Sequence, residues 1–322
     1  MEVQTADATV DAAVLVDSLV MKYGDKTAVN DLSLVVPRGT ITSVLGPNGA
    51  GKTTTLETCE GYRQPHSGTV RVLGLDPVRD RRALLPRIGV MLQDGGAWSG
   101  VRAAEMLRHV AALHANPLDV EALSERLGLQ ECGRTPFRRL SGGQQQRLGL
   151  AMAVVGRPEV VFVDEPTAGM DPQVRRETWG LLEELRSSGV TVVLTTHYLE
   201  EAERLSDVVH IVDHGRVVRS GSPAEITGQG QAEFRFTATR PLPDGVAHDL
   251  ATRLETLGGS LDRVDGADLA GRVPSGTATL ECLIAWARHH EVETQHLALG
   301  QRTLEDVYLE LTSRSALQEA TA

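Results

Sequence analysis

Aromatic residues make up only 3% of this chain, too few for a platform that stacks single-stranded nucleic acid. Positive charge is also short: 32 Lys and Arg stand against 43 Asp and Glu, a formal net charge of -11. That balance argues against a general binder of nucleic acid or anionic membranes. The local group Arg79, Arg81, Arg82 and Arg87 reads as a solvated helix face. Cys59, Cys132 and Cys282 are scattered and lack metal-ligand spacing, which speaks against a disulfide framework and fits a reducing cytoplasm. The opening MEVQTADATVDAA has neither the basic start nor the apolar core of a secretion signal. No apolar run nears the roughly 18 residues of a membrane span. A soluble chain is expected, with any membrane role falling to a partner.

At 322 residues two domains are expected, the first an α/β unit. Residues 1–12 read as a flexible lead. From about Val14 to residue 225, apolar β-rich runs alternate with helical patterns. Strand candidates are VVPRGTITSVLG (35–46), TVRVLG (69–74), IGVMLQ (88–93), VVFVDEP (160–166), VTVVLTTH (190–197) and DVVHIVDHG (207–215). A helical subdomain is expected over about 95–155, with Met106, Val110 and Leu113 on one apolar face. SGSPAEITGQGQ (220–231), rich in Gly and Ser, marks the boundary. Residues 226–314 follow a β-α-β-β-α-β order that suggests a ferredoxin-like α+β accessory domain, and 315–322 read as a polar tail.

Three stretches carry chemistry. Gly46-Pro47-Asn48-Gly49-Ala50-Gly51-Lys52-Thr53 matches G-x-x-x-x-G-K-[ST], follows an apolar strand and opens a helix that continues with Thr54. Its amides suit phosphate oxygens, Lys52 the β- and γ-phosphates, and Thr53 a Mg²⁺ ion. VVFVDE is a buried-strand pattern ending in two carboxylates. Asp164 suits Mg²⁺ through water, and Glu165, pointing differently, suits the attacking water. His197 closes another apolar strand and is placed to reach the γ-phosphate and hold Glu165 and water. Gln93 at the end of IGVMLQ can contact Mg²⁺ and water, and Tyr23 can stack on adenine. Leu140-Ser141-Gly142-Gly143-Gln144 adds a second phosphate-binding loop far from the first.

In this order these elements resemble the ATP-binding subunit of an ABC transporter, over roughly residues 14–225. The resemblance makes Tyr23 the adenine-stacking residue, Gly46–Thr53 the Walker A loop, Gln93 the Q-loop and LSGGQ (140–144) the signature. Asp164 and Glu165 are then Walker B, Ala168–Asp171 the D-loop and His197 the switch histidine. Ala168 and Met170 depart from the usual Ser and Leu of the D-loop, without touching a residue expected to do chemistry. The resemblance implies an ATP-hydrolysing P-loop cassette, with MgATP held between Walker A of one copy and the signature of a second. It also implies a separate integral membrane permease, and hence a place on the cytoplasmic face of the membrane.

The C-terminal Thr303-Leu304-Glu305-Asp306-Val307-Tyr308-Leu309 resembles the ending of ATPases that serve type-two exporters of drugs, antibiotics or polysaccharides. It also reads as a plain amphipathic helix packing Leu304, Val307 and Leu309 on the domain. Export of a drug or other natural product is the leading reading. An importer ATPase remains open, because the core motifs are shared. A non-transport ATPase acting on ribosomes or DNA is disfavoured by the single cassette, the lack of Cys pairs and the lack of heptads.

Overall fold

The computed structural model describes residues 11–91, 98–228 and 231–319. The first unit ends at Pro223 and the second begins at Ala224. β1 (Ala12–Tyr23) and β2 (Lys26–Pro37) form an antiparallel hairpin around Gly24. After β3 (Ile41–Leu45) the phosphate loop leads into α1 (Lys52–Cys59), and β4 (Ser67–Val72) then pairs with β1. TVRVLG is therefore a strand as expected, but of a separate antiparallel sheet ordered β2-β1-β4. A short helix, α2 (Arg81–Leu84), precedes β5 (Ile88–Met91). Gln93 lies outside the described residues, as do residues 92 and 94–97.

Only Arg79 and Arg82 of the arginine group are solvated. Arg81 donates to the Gly61 carbonyl at 2.8 Å, and Arg87 grips Glu159 through two bonds of 2.6 and 2.9 Å. The helical subdomain comprises α3 (Ala103–Ala111), α4 (Val120–Arg126) and α5 (Gly142–Val154). They share a core that includes Leu107, Leu123, Phe137 and Leu148. Met106 is buried and Val110 partly so, but Leu113 is 73% exposed. α3 stops short of it: turn bonds from Leu113 to Val110 and from His114 to Ala111 close the helix end.

β6 (Val160–Asp164), α6 (Pro172–Ser187), β7 (Thr191–Thr195), α7 (Leu199–Leu205) and β8 (Val208–Asp213) complete the main layer. The sheet runs β5-β6-β7-β3-β8, parallel throughout, and ends in the antiparallel β9 (Arg216–Gly221). All five residues of β3, of β6 and of β7 are buried, as expected of parallel strands covered on both faces. β3 sits between β7 and β8, so the chain leaves the sheet edge in two directions there, where such folds bind ligands.

The second unit begins within α8 (Pro223–Thr227), followed by β10 (Gln231–Ala238), α9 (Asp244–Thr256), β11 (Ser260–Asp265) and β12 (Asp268–Pro274). α10 (Thr277–His289), β13 (Thr294–Gln301) and α11 (Leu304–Glu319) complete it. The sheet is fully antiparallel in the order β11-β12-β10-β13, the ferredoxin-like arrangement. Phe234, Phe236, Leu250, Leu254, Leu283 and Trp286 fill its core. Leu304 and Val307 are buried while Leu309 is exposed, and the last helix runs through Ser315 to Glu319 rather than yielding to a tail. No helix among the described residues is long and apolar enough to cross a membrane.

Candidate active site

The carboxyl ends of β3, β6 and β7 share one edge, since Asp164 and Val44 both pair in register with Thr195. Three sequence-distant stretches thereby meet: the phosphate loop, Asp164-Glu165 and Thr195–His197. A cleft of about 450 Å³ runs from Tyr23 past Asn48, Gly49 and Thr54 to Lys52, Thr53 and Glu165.

Packing fixes the loop's shape. A Cβ on Gly46 would lie 2.2 Å from the Val212 carbonyl oxygen, and one on Gly51 2.5 Å from that of Ala28. Gly51 also has a φ of 100°, so these two glycines admit the close approach of β8 and β2. Ala50 is buried and its amide donates to the Pro47 carbonyl. Lys52, 7% exposed, donates from Nζ to the carbonyls of Gly46 at 2.7 Å and Pro47 at 3.2 Å. Burial lowers its pKa, against the opposing pull of Glu165 and Asp164.

Asp164 is equally enclosed. Its Oδ1 accepts from Thr195 Oγ1, and its Oδ2 accepts from Thr53 Oγ1 at 3.4 Å. Burial raises its pKa despite the Thr195 bond. A hydroxyl and a carboxylate oxygen meeting beside a phosphate loop form a hard-oxygen set that fits Mg²⁺. Glu165 follows with a left-handed backbone, φ 50°, and its amide donates to the Thr195 carbonyl at 3.1 Å and to Thr195 Oγ1 at 3.3 Å. The turn swings its side chain away from that of Asp164, to within 3.4 Å of His197 Nδ1 at Oε1. Tyr23 is 42% exposed at the cleft mouth, with the Arg63 guanidinium 5.2 Å from its ring centroid.

The remaining sequence candidates are not brought to this cleft. Ser141 caps α5 in a full capping box: its Oγ accepts from the Gln144 amide at 3.3 Å, and Gln144 Oε1 accepts from the Ser141 amide at 3.0 Å. Gly142 and Gly143 supply the first two amides of that helix. Asp171 caps α6, accepting from the amides of Gln173 and Val174, both at 3.0 Å. None of Ser141–Gln144 or Asp171 lines the cleft beside Lys52.

Sequence reasoning missed Thr195 as the residue that orients both Asp164 and Glu165; its place opposite Asp164 emerges only from the strand register. It also missed Glu60, 4% exposed at the end of α1. Burial, then the nearby charges of Asp164 and Glu57, push its pKa up to about 8. A Glu in TCEGYR gives no sign of that burial.

The family model for ABC transporter matches residues 29–168. The chain is 37% identical over 311 residues to the daunorubicin resistance ATP-binding protein DrrA3 of Streptomyces coeruleorubidus, covering 94% of this chain and 96% of that one. It is 35% identical to the Nod factor export ATP-binding protein I of Ralstonia nicotianae, covering 93% of each. Among solved structures, an ATP-binding subunit of an ABC transporter superposes with a TM-score of 0.62 at 25% identity, over 67% of this chain and 92% of that one. The chain thus belongs to the ABC transporter family, as an ATP-binding subunit, and it is an ATPase.

Proposed function

We propose that this chain is the ATP-hydrolysing subunit of an exporter of drugs or related natural products, working at the cytoplasmic face of the membrane on a separate permease. The observation that carries the chemistry is the convergence of Lys52, Thr53, Asp164, Glu165 and His197 at one sheet edge. Tyr23 stacks on adenine. The amides of Gly46–Thr53 cradle the phosphates with Lys52, and Thr54 lines the same cleft. Thr53 and Asp164 would hold Mg²⁺, with Gln93, and that ion would offset phosphate charge. Glu165 accepts a proton from water as its oxygen bonds to the γ-phosphorus; the bond to the bridging oxygen breaks, leaving ADP and phosphate. His197 keeps Glu165 and the γ-phosphate in line.

Ser141 and the Gly142 and Gly143 amides, which do not line this cleft, serve the ATP of a second copy, with Gln144 fixing Ser141 and Asp171 at the same interface. Two shared ATPs then close two copies, and loss of the γ-phosphate reopens them. Export rather than import is supported by the names of the relatives, a daunorubicin resistance protein and a Nod factor export protein, which align over nearly the whole chain. The test is expression with candidate permeases: co-purification, and ATPase activity that rises with an exported drug, support the reading. Partnership with a substrate-binding protein in uptake would replace it.

A further inference from the structure

α7, which follows His197, carries a carboxylate with no access to solvent: Glu201 is 0% exposed. One of its oxygens, Oε1, accepts from Thr167 Oγ1 at 2.9 Å and from Trp179 Nε1 at 2.8 Å. The other, Oε2, is buried without a partner among the described residues. Burying a carboxylate is costly, and leaving half of it unbonded more so. An apolar side chain would fill this space without that cost, so the position is not explained by packing alone.

The two donors come from different places. Thr167 follows Glu165 by two residues and opens the segment that ends at Asp171, the cap of α6. Trp179 lies within α6, and Arg204 of α7 covers its ring at 5.0 Å. Met170 in the same segment accepts from Thr178 Oγ1 through its sulfur at 3.3 Å. On the other side, the Tyr198 ring lies 4.0 Å from that of His197, and Arg175 of α6 sits 4.1 Å over Tyr198. Glu201 therefore stands where the chain leaving Glu165 meets the helix entered after His197.

We propose that Glu201 is a positioning residue for ATP hydrolysis, locking the segment Thr167–Asp171 to the helix that follows His197. The inference rests on the roles given above to Glu165 and His197. A single oxygen with two donors defines one position for both: a slide of the loop or of α6 breaks a bond, whereas apolar packing would tolerate it. Glu165 and His197 bracket this junction, so their 3.4 Å separation is set partly from behind.

Two variants that each remove one donor, the isosteric Thr167→Val and the smaller Trp179→Phe, separate this role from a merely structural one. Thr167→Val removes the loop-side bond and Trp179→Phe the helix-side bond, from the same oxygen and from equally buried donors. With the full chain, Thr167→Val is expected to lower kcat about tenfold while KM for ATP stays within about twofold. Trp179→Phe is expected to lower Tm and keep kcat within about twofold of wild type, since the loop stays bonded. Glu201→Gln, which keeps an acceptor at Oε1, should retain most of the kcat that Glu201→Ala loses. A kcat left unchanged by Thr167→Val, whatever its Tm, would overturn the proposal. Wild-type hydrolysis abolished by Lys52→Ala upholds the reading beneath it. A wild-type rate that Lys52→Ala leaves intact defeats that reading and the proposal together.

Discussion

His197 Nδ1 lies 3.4 Å from Glu165 Oε1, although the two residues follow different strands and are far apart in sequence. Thr195 makes this possible. It holds the Glu165 amide with its carbonyl and hydroxyl and turns that same hydroxyl to Asp164. The carboxylate read as a metal ligand and the one read as a base are thus fixed by one threonine, with their side chains sent apart.

If Glu165 takes the proton of the attacking water, Glu165→Gln should lower turnover at least about 100-fold while ATP still binds. The amide cannot accept that proton at neutral pH, yet it preserves the shape. ATP-loaded Glu165→Gln should elute as a stable dimer in size-exclusion chromatography. Normal phosphate release by this variant would remove Glu165 from the reaction.

Lys52 is enclosed by its own loop and presents its charge where the phosphates would lie. Lys52→Ala should raise the Kd for ATP by at least about tenfold, a loss of about 1.4 kcal/mol or more. Calorimetric titration measures it. The Kd for ATP would be unchanged if the loop at 46–53 were not the phosphate site.

Ser141 has a local duty as well as its proposed distant one, so a single variant is ambiguous. Ser141→Ala loses both, whereas Gln144→Ala opens the capping box but keeps the hydroxyl. Loss of the box should cost about 1 kcal/mol of helix stability. Only Ser141→Ala should also remove most ATPase activity. Mixing Ser141→Ala with Lys52→Ala chains should restore part of one composite site, and mixtures as inactive as either parent would count against sharing.

His210 gives a pH dependence. It is buried on β8, accepting at Nδ1 from Ser220 Oγ at 2.8 Å and donating from Nε2 to the Val35 carbonyl at 3.0 Å. Burial lowers its pKa, although the Val35 bond works against it. The unfolded chain therefore takes up this proton at a higher pH than the folded one. The stability tied to neutral His210 is whole above about pH 6.5, the ordinary histidine value, and is lost as pH falls through the folded value. Thermal melts should show Tm dropping below about pH 6.5, with a shallower slope in His210→Gln.

The phosphate loop, the two acids of β6 and the strand ending in His197 were legible because each is a local pattern: a buried run closed by polar residues. The ferredoxin-like order was legible for the same reason. The sheet containing β1 and β4 was not, since pairing between Val14 and Val72 leaves no mark on either segment alone. β9 was hidden because its last two residues, Ser220 and Gly221, open the Gly- and Ser-rich boundary stretch, although it pairs with β8. Leu113 continued an apolar spacing beyond the turn that ends its helix. Among site residues, Glu60 and Glu201 look like any surface acids, and their burial comes from long-range packing around them.

The capping box leaves Ser141 with a hydrogen-bonding group to spare. The box uses a lone pair of the hydroxyl oxygen, accepting from the Gln144 amide, and leaves the hydroxyl hydrogen unspent. In the proposed shared site a phosphate oxygen would take that hydrogen. On that proposal the same side chain would hold its helix and bind a nucleotide at once, and docking a second copy would require no unwinding of the capping box. Each encounter would then meet a helix end already capped, and little ordering entropy would be lost there on contact.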